Sequence, residues 1–433
     1  MIRIRRLKEL EARERDTLFN RFGDDFSTIM VDTVIPIVNE VRARGDHAVL
    51  RYTEKFDKVV LNSLLATEEE IESAYRSVSP EILEAFSLAK ENIEEFHLRQ
   101  RRDHIMYTRA DGTTLGVRFE PIERAAIYVP GGKASYPSSV LMGAIPARIA
   151  GTGKITVITP PGRDGSVDAT VLAVCRMLGI DRVVKAGGAQ GIAAAGCGTE
   201  SVGKSDIIVG PGNIYVTAAK SYLFSLGLIA IDSMAGPSEV LIIADEGANP
   251  RWAAYDLLSQ AEHEETARAV LLTTSGILAD KVRAEIEKDI RARTGRHQIK
   301  ERAIERGMIL LVDSIEEAVD FSNSYAPEHL ELMVAEPMGY LQKLRNAGSL
   351  FLGAHAPVAV GDYYSGTNHI LPTGGAARFS SGVGVDTFLR RTSFQHLTPG
   401  ALRKANNAIE LMSRVEGFDD KHGGSVRVRF EKE

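Results

Sequence analysis

From about Arg124 the chain alternates between short, near-continuous apolar runs and longer amphipathic stretches. AAIYV, KITVITP, RVVKA, DIIVG and IAID come first; EVLIIAD, AVLLTTS, MILLVDS, LELMVA and GSLFLG follow. Strands that are apolar on both faces and separated by helices predict parallel sheets covered on both sides. Ten such runs are wide for one sheet. The pattern therefore predicts two doubly wound, Rossmann-like α/β domains dividing near Ala235-Gly236-Pro237. Before Arg124 the periodicity is helical. Ser79-Pro80 reads as an N-cap followed by proline at the first helical position. Ile82, Ala85, Phe86, Ala89, Ile93 and Phe96 then recur at helical spacing as a core-facing stripe. Beyond Gly361 the chain turns rich in Gly and Ser, then ends in a helical tail, ALRKANNAIELMSRVEGF, and a short segment closing in SVRVRF. No internal repeat is visible.

Composition narrows the class. A chain of 433 residues with 44% hydrophobic and 25% charged content is a soluble globular protein of two to three domains. A net charge of −6 argues against a nucleic-acid surface. No apolar run approaches the ~20 residues of a membrane span. The start, MIRIRRLKELEARERD, has no apolar core or cleavage site, and acidic residues from Glu9 onward count against a transit peptide. Cys175 and Cys197 have no CxxC partner and read as free thiols in a reducing compartment, so a cytoplasmic location is expected.

Three polar segments carry candidate chemistry. In SQAEHEE, Gln260 and His263 are spaced i, i+3 in a helical stretch that Asn249-Pro250 begins, so both side chains leave one face. In YAPEHLEL, Pro327 biases Ala326 away from helix and sets Glu328 and His329 at the mouth of a loop, an acid beside an imidazole that takes a proton near neutral pH. In GDYYSGTNHILPTGG, Asp362 precedes His369 by seven residues in a small, polar run, where Asp362 serves equally as a turn-former or a ligand. Together these segments offer nitrogen and oxygen donors for a divalent ion and a separate acid–base pair. The turns KAGGAQG and IVGPGN each follow a strand and open a helix, the context of phosphate binding, yet neither is GxGxxG. His47, His97, His104 and His297 have charged neighbours and read as surface groups.

Seven segments in order, AAIYVPGGKASYPSSVLMGAIPARIAG, KAGGAQGIAAAGCGTESV, DIIVGPGNIYVTAAK, MAGPSEVLIIAD, SQAEHEE, YAPEHLEL and GDYYSGTNHILPTGGAARFSSG, resemble the histidinol dehydrogenase family from about Arg124 to Arg391. The resemblance implies a zinc- and NAD-dependent enzyme that oxidises L-histidinol through the aldehyde to L-histidine. It implies zinc ligands Gln260, His263, Asp362 and His422, and an acid–base pair Glu328 and His329. It implies NAD contacts at Tyr128, Gln190 and Asn213. Substrate contacts are implied at Ser238, His369 and Glu416, alongside the zinc ligands and His329. It also implies a homodimer in which the tail of one subunit completes the site of the other. The corresponding domains are 24–124 plus 237–377 for zinc and catalysis, 125–236 for NAD, a C-terminal helical tail 378–433, and an N-terminal extension 1–23.

Two positions depart from the family pattern. Thr367 stands where the family has proline. In the tail, Lys421 holds the family histidine's place and His422 comes one later, which a one-residue insertion between Gly417 and His422 accounts for. Competing readings are oxidation of another primary alcohol such as a sulfonated diol, a zinc hydrolase in which Glu328 activates water without a cofactor, and a non-catalytic binding protein.

Overall fold

All ten apolar runs become strands in the computed structural model, which describes residues 1–21, 26–131, 135–234 and 236–430. In chain order the strands are β1 (Arg3–Arg6), β2 (Ile105–Thr108), β3 (Thr114–Pro121), β4 (Arg124–Tyr128), β5 (Lys154–Thr159), β6 (Val183–Lys185), β7 (Ile207–Val209), β8 (Ala230–Ile231), β9 (Glu239–Ala244), β10 (Arg268–Thr273), β11 (Met308–Leu311), β12 (His329–Met333), β13 (Ser349–Leu352) and β14 (Leu389–His396). The chain divides into two units, Met1–Gln100 with Ile122–Phe388, and Arg101–Pro121 with Leu389–Glu433.

The first unit holds two parallel sheets. One has the order β6-β5-β4-β7-β8, the other β1-β11-β10-β9-β12-β13. Renumbered within each sheet, β4–β8 and β9–β13 both run 3-2-1-4-5, the doubly wound order whose direction reverses between its first and fourth strands. The chain passes from one sheet to the other between Ile231 and Glu239. The expected division at Ala235-Gly236-Pro237 falls there, with Ala235 outside the described residues, as is the 23/24 boundary.

Successive strand residues enter different cores, because side chains alternate across a pleated strand. Ala125 and Ile127 face one side of the five-stranded sheet, Ala126 and Tyr128 the other. Val240 and Ile242 likewise oppose Leu241 and Ile243 in the six-stranded sheet. Both faces are buried, which is why the runs are apolar throughout. The helices Ile35–Asp57, Glu68–Ser77 and Pro80–Leu98 pack on the five-stranded sheet through Val38, Val41, Val49, Ile71 and Ile93. The sequence grouping had placed this stretch with residues 237–377.

The sequence pattern missed several details. β1 lies in a region read as helical: Ile2 is buried and Ile4 packs inward, while Arg3, Arg5 and Arg6 point outward and protect a sheet edge. The stripe on Pro80–Leu98 is narrower than its periodicity suggests, since Ala89 and Ile93 are buried but Ile82 and Phe96 are exposed. His97 is a core residue, not a surface one. Its Nδ1–H donates to the Ile93 carbonyl at 2.8 Å, and Nε2 lies 3.4 Å from the Asn368 amide nitrogen.

The second unit is an antiparallel sheet in the order β14-β3-β2 followed by the helix Pro399–Val415, capped by the Thr398 hydroxyl. The expected tail helix is present, preceded by a strand that the pattern did not suggest.

In the first unit, Phe388 is fully buried against the core of the five-stranded sheet. Phe388→Ala is expected to destabilise the protein by about 3–5 kcal/mol. In urea the midpoint should fall with the slope unchanged; an unchanged midpoint would contradict this packing.

Candidate active site

A cavity of about 500 Å³ opens where the two sheets meet within the first unit. The carboxyl ends of β4 and β7 supply Tyr128, Pro130, Gly131, Pro211, Gly212 and Asn213. These strands flank the point where the five-stranded sheet reverses order, the crevice in which open α/β sheets bind ligands. The opposite wall comes from the amino ends of the other sheet, with Ser238 before β9 and Glu328 and His329 at the start of β12. Gln260, His263, Asp362 and His369 complete it.

The backbone around β12 explains how an acid–imidazole pair comes to be buried there. The helix Ile315–Tyr325 ends at Ala326, which takes a left-handed conformation (φ 52°, ψ 66°) ahead of Pro327. A non-glycine residue held at positive φ carries strain that the surrounding structure must hold in place. Main-chain bonds pin the segment that follows: Gly348 N–H donates to Pro327 O and Ser349 N–H to Glu328 O, both at 2.9 Å. Glu328 and His329 are therefore buried, 7% and 4% exposed, rather than at the mouth of a loop.

The organiser of this pair is Glu239, the first residue of β9. Its N–H donates to Glu328 Oε2 at 2.8 Å, and its carbonyl receives His329 Nδ1–H at 2.9 Å. That second bond fixes a proton on Nδ1, so the neutral form of the ring carries its lone pair on Nε2. Nε2 is buried, has no hydrogen-bond partner, and lies 4.0 Å from Asp362 Oδ1. Burial works against a charged ring, yet Glu328, whose Oε2 is 3.4 Å from Nδ1, together with Asp362, raises the His329 pKa to about 9. The Glu239 side chain is wholly buried. It is paired with Arg21 and accepts the Gly374 N–H at 2.8 Å. Burial, opposed by Arg21 and reinforced by Glu328, raises its pKa to about 7. The sequence reading passed over Glu239, although an acid opening the all-apolar run EVLIIAD was a usable signal.

Gln260 is 2% exposed in the last turn of the helix Pro250–Ala261, and its Nε2 has no partner. His263 is not helical as expected. The helix ends at Ala261, and His263 sits in the turn beyond it, its N–H donating to Gln260 O at 3.3 Å. Asp362 is carried by the short helix Val358–Tyr363. Its carbonyl receives His369 Nδ1–H at 3.1 Å, and His369 Nε2 lies 3.3 Å from Ser139 Oγ. Burial lowers the His369 pKa, so the ring is neutral and accepts from the Ser139 hydroxyl. Among the described residues no three His, Cys, Asp or Glu side chains gather as a metal-binding group. Gln260, His263 and Asp362 add an amide to two such side chains. A buried, unpartnered amide able to present its oxygen by rotation, an imidazole and a carboxylate facing one cavity fit an open zinc site with room for a further donor.

The remaining candidates are dispersed. Tyr128 and Asn213 line the cavity, and the Asn213 Oδ1 caps the helix Ile214–Ser225. Burial raises the Tyr128 pKa to about 12, so its hydroxyl keeps its proton while accepting the Gly188 N–H at 3.1 Å. Gln190 is buried in the first turn of the helix Gly188–Cys197 and is not among the lining residues. Glu416 and His422 belong to the second unit. Glu416 caps the helix Pro399–Val415, and His422 is exposed in a π turn, Asp419–Gly423, closed by Gly423 N–H to Phe418 O at 3.0 Å. A π turn holds one residue more than an α turn. Lining residues that the sequence reading missed include Tyr136, Ser139, Arg296 and Tyr363.

A crevice at the reversal point of a doubly wound sheet, facing a buried acid–imidazole pair, suits the class of α/β oxidoreductases. The family model described as histidinol dehydrogenase matches residues 21–430. Histidinol dehydrogenase of Leptospira biflexa is 49% identical over 96% of this chain and 97% of its own. That of Clostridium acetobutylicum is 44% identical over 96% and 95%. The crystal structure of histidinol dehydrogenase from Elizabethkingia anophelis superposes with a TM-score of 0.92 at 38% identity, covering 99% of this chain and 98% of that one. The chain belongs to the histidinol dehydrogenase family.

The folded His329 pKa lies above the ordinary 6.5. Its contribution to stability is therefore complete below pH 6.5 and is lost as pH rises through about 9. In metal-free protein the ring should titrate near 9 by NMR, and Glu328→Gln should lower the midpoint, leaving burial less opposed. A midpoint that does not move in that variant would remove Glu328 as the cause.

Proposed function

We propose that the chain oxidises L-histidinol through L-histidinal to L-histidine in histidine biosynthesis, with two NAD⁺ per turnover and one zinc ion per site, as a cytoplasmic homodimer. The observation that carries this reading is His329 Nε2, buried and unpartnered beside Asp362 in the cavity. Relatives named histidinol dehydrogenase at 44–49% identity support the substrate. Residues 125–236, with the helices Ile35–Asp57, Glu68–Ser77 and Pro80–Leu98 packed on their sheet, are assigned to NAD, and 237–377 to metal and acid–base chemistry.

Gln260, His263 and Asp362 hold the metal, with His422 as a further donor. When bound, zinc supplies a template and a Lewis acid for the substrate oxygen, and NAD⁺ supplies the hydride acceptor. Tyr128 and Asn213 face the dinucleotide, and Gln190 supports it from the helix behind. Ser238, His369 and Glu416 orient the substrate. In its neutral form His329 takes the alcohol proton at Nε2 while Glu239 O steadies the developing charge through Nδ1. Glu328 then takes a proton from the water that adds to the aldehyde carbon. Each half-reaction thus releases one proton to a side chain as one hydride departs. Zinc-assisted hydrolysis would need no crevice at the reversal point of a doubly wound sheet. Oxidation of another small alcohol would need only altered pocket contacts.

The purified protein should produce two NADH per L-histidinol consumed and turn over a sulfonated diol far more slowly. His329→Ala should slow alcohol oxidation most, and Glu328→Gln aldehyde oxidation most. One NADH per alcohol, or equal losses in both half-reactions for both variants, would refute the scheme.

The homodimer reading draws on the tail. Leu411, Val415 and Phe418 are exposed at i, i+4, i+7 along and just beyond the last helix, an apolar stripe suited to a second copy. His422 is proposed to reach the metal of the other subunit across a two-fold interface. Mixed refolding of inactive His263→Ala with inactive His422→Ala protein should restore roughly a quarter of full activity, since half the dimers carry one intact site. No recovery in demonstrated mixed dimers would place His422 in its own subunit's site.

A further inference from the structure

Gly210 is the first residue beyond β7, at the reversal point of the five-stranded sheet. It adopts φ +122°, and a Cβ there would lie 2.2 Å from the Tyr128 carbonyl oxygen at the end of β4. Only glycine fits such an approach. The next three residues, Pro211, Gly212 and Asn213, line the cavity. How Gly210 is held therefore decides where that wall stands.

Both polar groups of this residue are taken by side chains. Its N–H donates to Asp232 Oδ2 at 2.8 Å, and its carbonyl accepts from Lys220 Nζ at 3.1 Å. Lys220 and Asp232 are also ion-paired to each other and buried at the side chain. Lys220 lies on the helix Ile214–Ser225, which Asn213 caps, and Asp232 follows the edge strand β8. The crevice floor is thus closed by a ring of Gly210, Asp232 and Lys220. A buried ion pair adds little net stability over well-packed apolar residues of the same volume. What this pair does supply is a fixed orientation for one residue that no strand hydrogen-bonds.

We infer that Lys220 and Asp232 are positioning residues for the dinucleotide, holding the Gly210–Asn213 loop in its binding geometry through Gly210. The inference rests on NAD occupying this crevice, as proposed above. It assigns the pair a role in cofactor affinity and none in the metal site or the acid–base pair.

Two paired substitutions test it, because changing one partner alone would strand a buried charge. Lys220→Met/Asp232→Leu removes both charges and both bonds to Gly210. Lys220→Gln/Asp232→Asn removes the charges but keeps a donor and an acceptor. NAD⁺ affinity is measured by calorimetry, with KM for NAD⁺, kcat, zinc content and thermal midpoint alongside. The apolar pair should weaken NAD⁺ binding and raise its KM about tenfold or more, the effect of stranding buried polar groups. Its kcat at saturation and zinc content should stay near wild type, while the thermal midpoint falls because two main-chain groups lose their partners. The amide pair should bind NAD⁺ nearly as wild type does. If the apolar pair does not fold, Lys220→Met/Asp232→Asn, which deletes only the bond to Gly210 O, takes its place and should still weaken binding.

Wild-type affinity in the apolar variant overturns the inference. So does weakening in the amide pair as large as in the apolar pair, since the amide pair keeps a donor and an acceptor for Gly210. Wild-type protein that fails to bind NAD⁺ overturns the cofactor reading itself, and the inference with it.

Discussion

The cleft depends on one buried ion pair, Arg21 with Glu239, both essentially without exposure. An isolated carboxylate at such depth would take up a proton. Arg21 opposes this, and its guanidinium is itself held by the Tyr325 carbonyl at 2.6 Å and stacked 4.0 Å over the Tyr325 ring. The anchored residue then presents its main chain to both catalytic candidates, N–H to Glu328 and C=O to His329. Tautomer, orientation and the free nitrogen of the imidazole follow from that one placement. Residue 21 thus shapes chemistry at residues more than three hundred positions away.

The two sheets use their topology differently. The five-stranded sheet offers the carboxyl ends of its strands at the reversal point, the usual ligand side of such a fold. The six-stranded sheet has the same strand order but turns the amino ends of β9 and β12 toward the cavity. Glu328 and His329 are therefore set at the start of a strand, where neighbouring main-chain groups reach them, and not in a loop. Rigid strand starts suit groups that must hold a proton at a defined atom. A second acidic pair lies close by: Glu331, two residues along β12 from His329, neighbours Asp256, and burial raises the pKa of each carboxyl. Glu331 also accepts the Val358 N–H at 2.9 Å, tying β12 to the helix that carries Asp362.

Strand placement was legible because parallel sheets covered on both faces demand uninterrupted apolar runs, and all ten runs became strands. β1 was not, since Ile-Arg alternation over four residues is too short to outweigh the helical texture around it. Nor were β2, β3 and β14, whose exposed antiparallel pairing needs no apolar face. For the site, Gln260, His263, Glu328, His329 and Asp362 stood out as polar residues in unusual company. Arg21, Glu239, Lys220 and Asp232 did not, because each looks like an ordinary surface charge until its partner is known. His97 misled for the same reason: charged neighbours in sequence are not neighbours in space.

By itself, then, the sequence determined the class of fold, most of the polar residues that line the cavity and, through seven ordered motifs, the family. Those properties are written in local pattern and residue type. Tertiary structure alone decided that both sheets share one strand order without any sequence repeat, because strand order arises from how helices cross over and not from which residues they contain. It also decided which end of each sheet faces the cavity, and which buried charges neutralise one another. Burial, charge pairing and hydrogen-bond direction depend on distances between residues remote in the chain. No local pattern encodes them.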